Sequence, residues 1–271
     1  MAHEARAYKV LGILNLTPDS FSDGGKLSKP ADALKYFDAL LSEGADFIDV
    51  GAESTRPGAK EVSEAEELDR LLPFLSLIEH KGMLDKVSID TRKFSVMKQV
   101  VQMQVSFINN VGPLPDQIDL SALFKVNPKL SFIACHMHGT PEMMQTNPLS
   151  PGAAIKRVAA YFDDASEELL VAGCAAENIY MDPGIGFGKT DAANWKLLLN
   201  TPNFSKSRNI AIGLSRKGFI GRALGGDTPH ERDTSSKILE SAAILAGATL
   251  IRTHDVGRLI KLTATLTEAR Q

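Results

Sequence analysis

Short apolar runs recur eight times along the chain, separated by polar loops and by longer amphipathic stretches. Most of these runs are almost wholly apolar and rich in β-branched residues, a pattern typical of parallel strands buried on both faces. We therefore predict strands at residues 10–14, 47–50, 87–89, 107–111, 130–135, 179–181, 210–214 and 250–253.

The amphipathic stretches carry apolar residues on one side at helical spacing, which predicts helices at residues 31–42, 64–79, 151–171 and 235–246. Eight strand–helix alternations in about 250 residues are the signature of an α/β protein of the (β/α)8 TIM-barrel class. We predict a single domain over residues 1–271. A doubly wound open sheet is the alternative, because alternation alone does not show that the sheet closes.

Polar residues follow the predicted strands. For any one of them, a cap or a buried hydrogen bond is sufficient explanation. In a barrel, however, these strand ends converge on one face, where active sites lie. The set comprises Asn15, Asp49, Glu53, Asp90, Asn109, Asn110, His136, Asp182, Ser215, Arg216, Lys217, Arg252 and His254.

The loop that follows the first strand is rich in hydroxyl, amide and carboxylate oxygens. It reads GILNLTPDSFSDGG over residues 12–25 and breaks from apolar to polar at Asn15. Such a run cannot pack in a core, but its oxygens suit a hard cation such as Mg²⁺. An ordinary turn-rich surface loop is the alternative.

Cationic side chains gather at the same predicted face. Arg56 lies in the loop after the second strand, Lys217 follows the seventh, and Arg252 and His254 alternate at the end of the last, so both point the same way. Several cations around one mouth predict an anionic substrate group, and arginine suits phosphate oxygens. A solvated Arg56 and a hydrogen-bonded core His254 are the simpler alternatives.

Asp90 and Asp182 each come directly after apolar strand residues. Buried carboxylates need partners. Together with Asn109 they could accept the N–H and amino donors of a heterocycle, because a carboxylate offers two acceptor oxygens. A salt bridge to Lys217 is the alternative, and both arrangements are compatible.

Composition limits the function class. The chain has 271 residues, of which 44% are hydrophobic and 23% charged, and a net charge of −3. This gives no electrostatic case for nucleic acid or an anionic membrane. Two cysteines, Cys135 and Cys174, argue against a disulfide framework, and neither a spanning apolar run nor an apolar signal core is present. We expect a cytoplasmic protein.

Two tempting motifs carry little weight, and the signatures of covalent catalysis do not occur in the sequence. The run GIGFGK at residues 184–189 lacks the spacing of nucleotide-binding loops, so we predict a tight loop that exposes Phe187 and backbone amides. His136 and His138 resemble a zinc pair but have no third ligand nearby. No nucleophile elbow or Cys/His pairing suggests covalent catalysis.

Taken together, the motifs resemble the dihydropteroate synthase family. They occur in order and span most of the chain: GILNLTPDSFSDGG (12–25), DVGAESTRPG (49–58), SIDT (88–91), HMHGTP (136–141), DPGIGFGK (182–189), LSRK (214–217) and RTHDV (252–256). The resemblance implies a (β/α)8 barrel and a homodimer that condenses 6-hydroxymethyl-7,8-dihydropterin diphosphate with p-aminobenzoate. The products would be diphosphate and 7,8-dihydropteroate, and sulfonamides would inhibit.

The resemblance also implies a role for each matching residue. Catalytic roles fall to Asn15, Asp90, Lys217, Arg252 and His254, with Asn15 as the Mg²⁺ ligand. The diphosphate would be held by Arg56, Arg252 and His254, and the pterin by Asp90, Asn109, Met137, Asp182, Phe187 and Lys217. Contacts to p-aminobenzoate would come from Phe21, Asp23, Thr55, Arg56, Pro57, Lys217 and Gly218.

Three positions depart from the family pattern. Asn110 stands where an aspartate is usual, which would remove one charge from the site; Gly218 stands where many members have serine; and His138 replaces a more usual Arg or Gln. Two other functions stay open on the sequence: a pterin-binding methyltransferase-type domain, and an inactive pterin-binding paralogue. The intact motifs at residues 15–25 and at Arg252 and His254 argue against the former, and the intact first and second loops argue against the latter.

Overall fold

A computed structural model describes residues 6–17, 30–54, 58–59, 61–226, 228 and 230–268, with side chains described as far as residue 265. Eight parallel strands close into a barrel in sequence order. The last strand pairs with the first, from Lys9 opposite Leu250 to Gly12 opposite Thr253, so the predicted barrel is confirmed and the open sheet is excluded. The strands are β1 (Lys9–Asn15), β2 (Phe47–Gly51), β3 (Val87–Asp90), β4 (Phe107–Val111), β5 (Ser131–Cys135), β6 (Ile179–Asp182), β7 (Asn209–Gly213) and β8 (Leu250–Thr253).

The helices lie between the strands. They are α1 (Pro30–Ser42), α2 (Glu64–His80), α3 (Phe94–Gln102), α4 (Gln117–Val126), α5 (Pro151–Val171), α6 (Asp191–Leu199), α7 (Thr201–Phe204), α8 (Gly218–Ala223), α9 (Asp233–Leu245) and α10 (Val256–Glu268). Over the described residues, no helix combines the length and the apolar character needed to cross a bilayer.

Most predicted elements agree with the structure to within two residues. The recurrent difference is that β1, β3 and β6 continue through the polar residues Asn15, Asp90 and Asp182, which we predicted to follow the strands. Backbone pairing explains this, since Asn15 lies opposite Gly51 and Asp90 opposite Asn109 in the parallel ladders. A polar side chain does not interrupt a ladder whose hydrogen bonds are made by the backbone.

Apolar side chains fill the interior of the barrel at the amino-terminal end of the strands. Phe107 packs edge-on against Phe47, with ring centroids 4.8 Å apart, and against Tyr180 at 5.6 Å. The Lys9 ammonium donates to the Tyr180 hydroxyl at 2.8 Å. A separate, larger cluster packs the outer strand faces against the helices. Strands packed on both faces explain the unbroken apolar runs. The inner cluster comprises Leu11, Phe107, Ile133, Tyr180, Ala211 and Leu250.

Side-chain alternation places the polar residues above this layer. Inward-facing side chains recur every second residue in a strand. Asp49, Asn109, Asp182 and Arg252 therefore stand two residues beyond Phe47, Phe107, Tyr180 and Leu250, respectively, and face the interior at the carboxyl end.

Candidate active site

An arginine between two aspartates forms the centre of the carboxyl-terminal face. Arg252 on β8 donates from Nε to Asp49 Oδ2 at 2.6 Å and from Nη2 to Asp90 Oδ2 at 2.8 Å. Asp49 and Asp90 lie on β2 and β3, so one guanidinium spans the mouth of the barrel and joins three strands. Charge-assisted bonds of this kind fix the plane of the guanidinium.

Asp49 makes more side-chain contacts than the other residues of this group, although from the sequence we predicted only that it lies among the polar strand ends. Its Oδ1 accepts from the Ser88 hydroxyl at 2.5 Å, and its Oδ2 accepts from Asn109 Nδ2 at 3.0 Å. Side-chain alternation along β2 could have indicated its position, because Asp49 stands two residues after the inward-facing Phe47. Asp49 therefore holds both Arg252 and Asn109 in place.

Burial and the neighbouring charges set the ionisation of this group. Burial raises the pKa of Asp90 to about 7, although the Arg252 charge opposes the shift. For Arg252, burial lowers the pKa, but the charges of Asp49 and Asp90 outweigh it, and the net shift is upward. Among the described residues Asp90 Oδ1 is buried without a hydrogen-bond partner. A ligand N–H is the natural partner for such an acceptor.

Asp182 and Lys217 lie on the opposite side of the pocket. Asp182 Oδ1 accepts the backbone N–H of Gly184 at 2.7 Å, and burial raises the pKa of the carboxyl group. Burial lowers the pKa of Lys217, whose ammonium lies 4.1 Å from the centroid of the Phe187 ring. Within the described part of the chain neither Asp90 nor Asp182 forms an ion pair with Lys217, so the predicted alternative salt bridge is not the arrangement found.

The glycine-rich loop is packed rather than exposed, and our prediction of an exposed Phe187 is wrong: its side chain is 8% exposed. The buried Lys189 ammonium draws the loop inward by donating to the carbonyls of His136, Gly184 and Phe187. The backbone N–H of Gly186 is likewise occupied, by Asn194 Oδ1 at 2.7 Å. Phe187 thus forms an apolar wall together with Val111, Cys135, Met137 and Met144.

Two histidines near the pocket have different environments. His254 Nδ1 lies 2.9 Å from Ser215 Oγ, and the His254 backbone N–H donates to the same oxygen at 3.2 Å. The ring of His136 lies edge-on against Tyr161 at 5.4 Å, and burial lowers the pKa of His136 to about 3. His136 is therefore neutral, whereas His254 is fixed at the joined ends of β7 and β8.

Asn110 does not occupy the pocket, which corrects our expectation that it removes a site charge. Its neighbour Asn109 faces the interior, so alternation turns Asn110 to the outer side of the sheet. There Asn110 Nδ2 donates to the carbonyls of Gly112 and Pro113 at 3.3 and 3.0 Å. The Asn110 side chain therefore holds the loop after β4 and does not line the site.

The remaining predicted residues divide into two groups. Asn15 lies at the mouth, where its Oδ1 and the Asp90 Cβ would be 3.4 and 3.6 Å from a Cβ on Gly51. Gly218 begins α8 directly after Lys217. Outside the described residues lie Phe21, Asp23, Thr55, Arg56 and Pro57.

The comparisons with known proteins point in one direction. Residues 11–254 match the model of a family described as pterin binding enzyme. The chain is 37% identical over 253 residues to dihydropteroate synthase of Escherichia coli strain K12, an alignment covering 93% of this chain and 88% of that protein. It also resembles a Yersinia pestis dihydropteroate synthase in a sulfonamide drug complex, with TM-score 0.86, 35% identity and coverage of 97% and 94%.

A third relative is the Burkholderia cenocepacia dihydropteroate synthase complexed with 7,8-dihydropteroate. It has TM-score 0.84 and 32% identity, and the match covers 97% of this chain and 91% of that one. Barrel, polar mouth and family model together define a pterin-binding barrel enzyme. The chain belongs to the dihydropteroate synthase family and is a transferase of folate biosynthesis.

Proposed function

We propose that the chain condenses 6-hydroxymethyl-7,8-dihydropterin diphosphate with p-aminobenzoate, giving 7,8-dihydropteroate and diphosphate. The observation that carries the proposal is the juxtaposition at one barrel mouth of the Arg252 guanidinium with the acceptors Asp90 and Asp182. A cation for an anionic leaving group and buried acceptors for a heterocycle are both needed by this reaction.

The pterin would occupy the space between the buried acids. Asp90 Oδ1 lacks a partner among the described residues, and Asp182 uses Oδ1 for Gly184, which leaves Oδ2 for ligand donors. Asn109, oriented by Asp49, would supply further polar contacts. Lys217 would lie over the ring, with Met137 and Phe187 packed around its edge.

The diphosphate would bind Arg252 and His254, with Arg56 as an additional cation from the second loop. Asp49 and Asp90 keep Arg252 charged and oriented before the substrate arrives. Such preorganised charge stabilises a departing anion more than the same charge does in water. His254, supported by Ser215, would donate to a phosphate oxygen.

The reaction follows from these contacts. The C–O bond to diphosphate breaks, and its electron pair leaves with the diphosphate. The resulting methylene cation is delocalised into the electron-rich pterin ring. The neutral arylamine nitrogen then donates its lone pair to form the C–N bond and releases one proton to solvent. An arylamine is already unprotonated at pH 7, so no strong general base is required.

We also propose that Mg²⁺ takes part, with Asn15 as its protein ligand. Mg²⁺ typically keeps several waters and binds one or two protein oxygens together with substrate phosphates. The Asn15 amide oxygen at the mouth fits that donor set. When bound, the ion would offset charge on the diphosphate.

The second substrate would bind at the outer rim. Lys217 and Gly218 would form one side of the p-aminobenzoate site, and the other side would come from Phe21, Asp23, Thr55, Arg56 and Pro57. If diphosphate completes this pocket, binding is ordered. By analogy with the sulfonamide-bound relative, sulfonamides would compete for the same site.

Calorimetry combined with diphosphate release tests the proposal. Adding p-aminobenzoate to enzyme, dihydropterin diphosphate and Mg²⁺ should release diphosphate. Pterin binding without turnover would instead indicate the inactive paralogue, and methyl transfer from a methylated folate the methyltransferase-type domain. Tight p-aminobenzoate binding without diphosphate or metal would contradict the ordered mechanism.

We further propose a cytoplasmic homodimer. Both cysteines, Cys135 and Cys174, are free and buried, which fits a reducing compartment.

On the outer side of α9, Ile238 and Leu245 are 60% and 48% exposed. A second copy of the chain would cover these apolar side chains. Sedimentation of wild type and Ile238→Glu tests this, since a monomeric wild type would refute it.

A further inference from the structure

Helix α9 turns polar side chains toward the barrel. Lys237 and Glu240 are both 0% exposed, whereas Ile238 points outward. The buried positions recur at the spacing of a single helical face. Buried polar groups cost stability unless each finds a partner, so a polar inner face indicates a specific task. This inner face comprises Asp233, Ser236, Lys237, Glu240 and Ser241.

The first contact of this face fixes Arg216, the residue between Ser215 and Lys217. Arg216 Nε and Nη2 donate to the two oxygens of Asp233 at 3.0 and 3.1 Å. The Arg216 backbone N–H donates to Ser236 Oγ at 3.2 Å, and its carbonyl accepts from Arg232 Nη1 at 3.3 Å. The side chain, the backbone N–H and the carbonyl of Arg216 are thus all hydrogen-bonded to α9 or to Arg232 directly before it.

The backbone of Arg216 explains why it needs this support. Its φ is +60°, a left-handed conformation that residues with side chains rarely adopt. The conformation directs the two neighbours to different partners. Ser215 reaches His254 Nδ1 at 2.9 Å, and Lys217 lies 4.1 Å from the Phe187 ring centroid. If Arg216 relaxed, Lys217 would move relative to the pocket.

The second contact fixes the end of β8. The Lys237 ammonium donates to Glu240 Oε2 at 2.9 Å and to the Thr253 hydroxyl. Thr253 stands between Arg252 and His254 and, by alternation, points away from the pocket that they face. The same helix therefore supports both strand ends that carry the cations of the site.

We propose that the polar inner face of α9 positions the active site, with Arg216 and Asp233 acting on Lys217 and Lys237 acting on the end of β8. The positioning residues touch no substrate. The inference rests on the proposed roles of Lys217 in pterin binding and of Arg252 in diphosphate binding. Because the two contacts are separate, damage to one should affect one ligand more than the other.

The main test compares Asp233→Asn and Arg216→Ala with wild type, using calorimetric titration with a pterin analogue and with inorganic diphosphate. We expect the dissociation constant of the pterin analogue to rise about tenfold, because a displaced Lys217 would weaken its contact with the ligand. The dissociation constant of diphosphate should rise less, because Arg252 keeps its own partners, Asp49 and Asp90, and Arg216 is linked to this ligand through the Ser215 contact to His254. Equal loss of both ligands would contradict the separation of the two contacts.

Glycine at position 216 separates backbone conformation from general destabilisation. Glycine adopts positive φ without steric cost. Arg216→Gly should therefore bind the pterin analogue more tightly than Arg216→Ala although both lack the guanidinium. If Asp233→Asn does not fold, this pair still decides the question. Alanine and glycine variants with equal affinity would overturn the positioning role of the left-handed turn.

Asp163→Asn is a matched control, because Asp163 pairs with Arg208 just before β7, at the opposite end of the barrel. Its ligand affinities should equal those of wild type. A lower melting temperature with unchanged affinities in Asp233→Asn and Arg216→Ala would show a merely structural role. Failure of wild type to bind either ligand would instead refute the proposed function.

Discussion

The two ends of the barrel interior differ although the same strands build both. At the amino end, Phe107 and Tyr180 belong to an apolar cluster whose partners are other side chains of the protein. At the carboxyl end, Asp90 and Asp182 are carboxyl groups whose pKa values are raised by burial. The apolar layer stabilises the fold, whereas the layer of carboxyl groups, two residues further along each strand, destabilises it.

The difference shows that stability determines the residues at the amino end of the barrel and that ligand binding determines those at the carboxyl end. Apolar burial contributes favourably to folding, whereas a buried carboxylate costs free energy unless its oxygens are satisfied. Asp49 is satisfied by Ser88, Asn109 and Arg252. Asp90 keeps one buried oxygen without a partner among the described residues. Mutations at the amino end should therefore lower stability, whereas mutations at the carboxyl end should lower ligand affinity.

The largest expected effect is on stability, from Phe107→Ala. The side chain is fully buried between Phe47 and Tyr180, so its removal should lower the free energy of unfolding by about 3–5 kcal/mol. Urea denaturation measures this. Phe107→Leu should lose less, and folded enzyme should keep its affinity for a pterin analogue. A Phe107→Ala variant that keeps its stability but binds the pterin analogue more weakly would contradict the difference between the two ends of the barrel.

The next effect is on affinity, from Asp182→Asn. The amide oxygen can still accept the Gly184 N–H, but the amide NH₂ would then face the donors of the heterocycle. Such a mismatch should weaken binding of a pterin analogue by about 1–3 kcal/mol or more. Calorimetry measures it, with Asp163→Asn as an exposed control.

The free energy of unfolding of Asp182→Asn should be no lower than that of wild type, because a costly buried charge is removed. Unchanged pterin affinity would show that Asp182 is not the pterin anchor. A loss of stability matching that of Phe107→Ala would show that the carboxyl end of the barrel also supports the fold.

The sequence predicted the barrel because unbroken apolar runs and regular alternation are local signals. It predicted the polar strand ends for the same reason. The central role of Asp49 was missed because it depends on Arg252, which lies 203 positions away along the chain. The outward side chain of Asn110 and the buried Phe187 likewise depend on strand register and on the buried Lys189.

Helix α9 shows a different limit. An amphipathic pattern normally places the apolar side toward the core. Here Lys237 and Glu240 are buried, whereas Ile238 and Leu245 are exposed. Periodicity identifies two faces of a helix but does not state which of them contacts the barrel. That assignment needs partners such as Thr253, which the sequence pattern does not reveal.

An intermediate effect is the pH dependence of pterin binding. Burial raises the pKa of Asp90 to about 7, and only the ionised carboxylate offers both oxygens as acceptors. Protonation below that pH should therefore weaken binding of a pterin analogue, by up to about tenfold per pH unit, or roughly 1.4 kcal/mol. Above the pKa the affinity should level off. Calorimetry from pH 5 to 8 measures the profile.

Asp90→Asn is the control, since it removes the titrating group and should give a flatter profile over the same range. Phe107 lies in the apolar cluster at the other end of the interior and has no titratable group, so Phe107→Leu should keep the wild-type profile. A wild-type affinity that is independent of pH would show that the ionisation of Asp90 does not govern pterin binding.

The smallest expected effect lies at the outer rim, at Gly218. Gly218 follows Lys217 and offers no side-chain donor. The p-aminobenzoate carboxylate would therefore accept hydrogen bonds from backbone N–H groups at this position. A Cβ at this position would lie 3.1 Å from Arg222 Nη1, the end of a flexible and exposed side chain that can move. Gly218→Ser therefore fits, and its hydroxyl adds a donor to a charged group.

A buried bond of that kind is worth about 1.5–3 kcal/mol and one at an open rim less, so KM for p-aminobenzoate should fall modestly. KM for the pterin substrate should stay nearly unchanged, and sulfonamide inhibition should tighten in parallel. Gly152→Ser, in the first turn of α5 with open space around it, is a matched control. Steady-state kinetics in both substrates decides: an unchanged KM for p-aminobenzoate, or a change confined to the pterin substrate, places the carboxylate elsewhere.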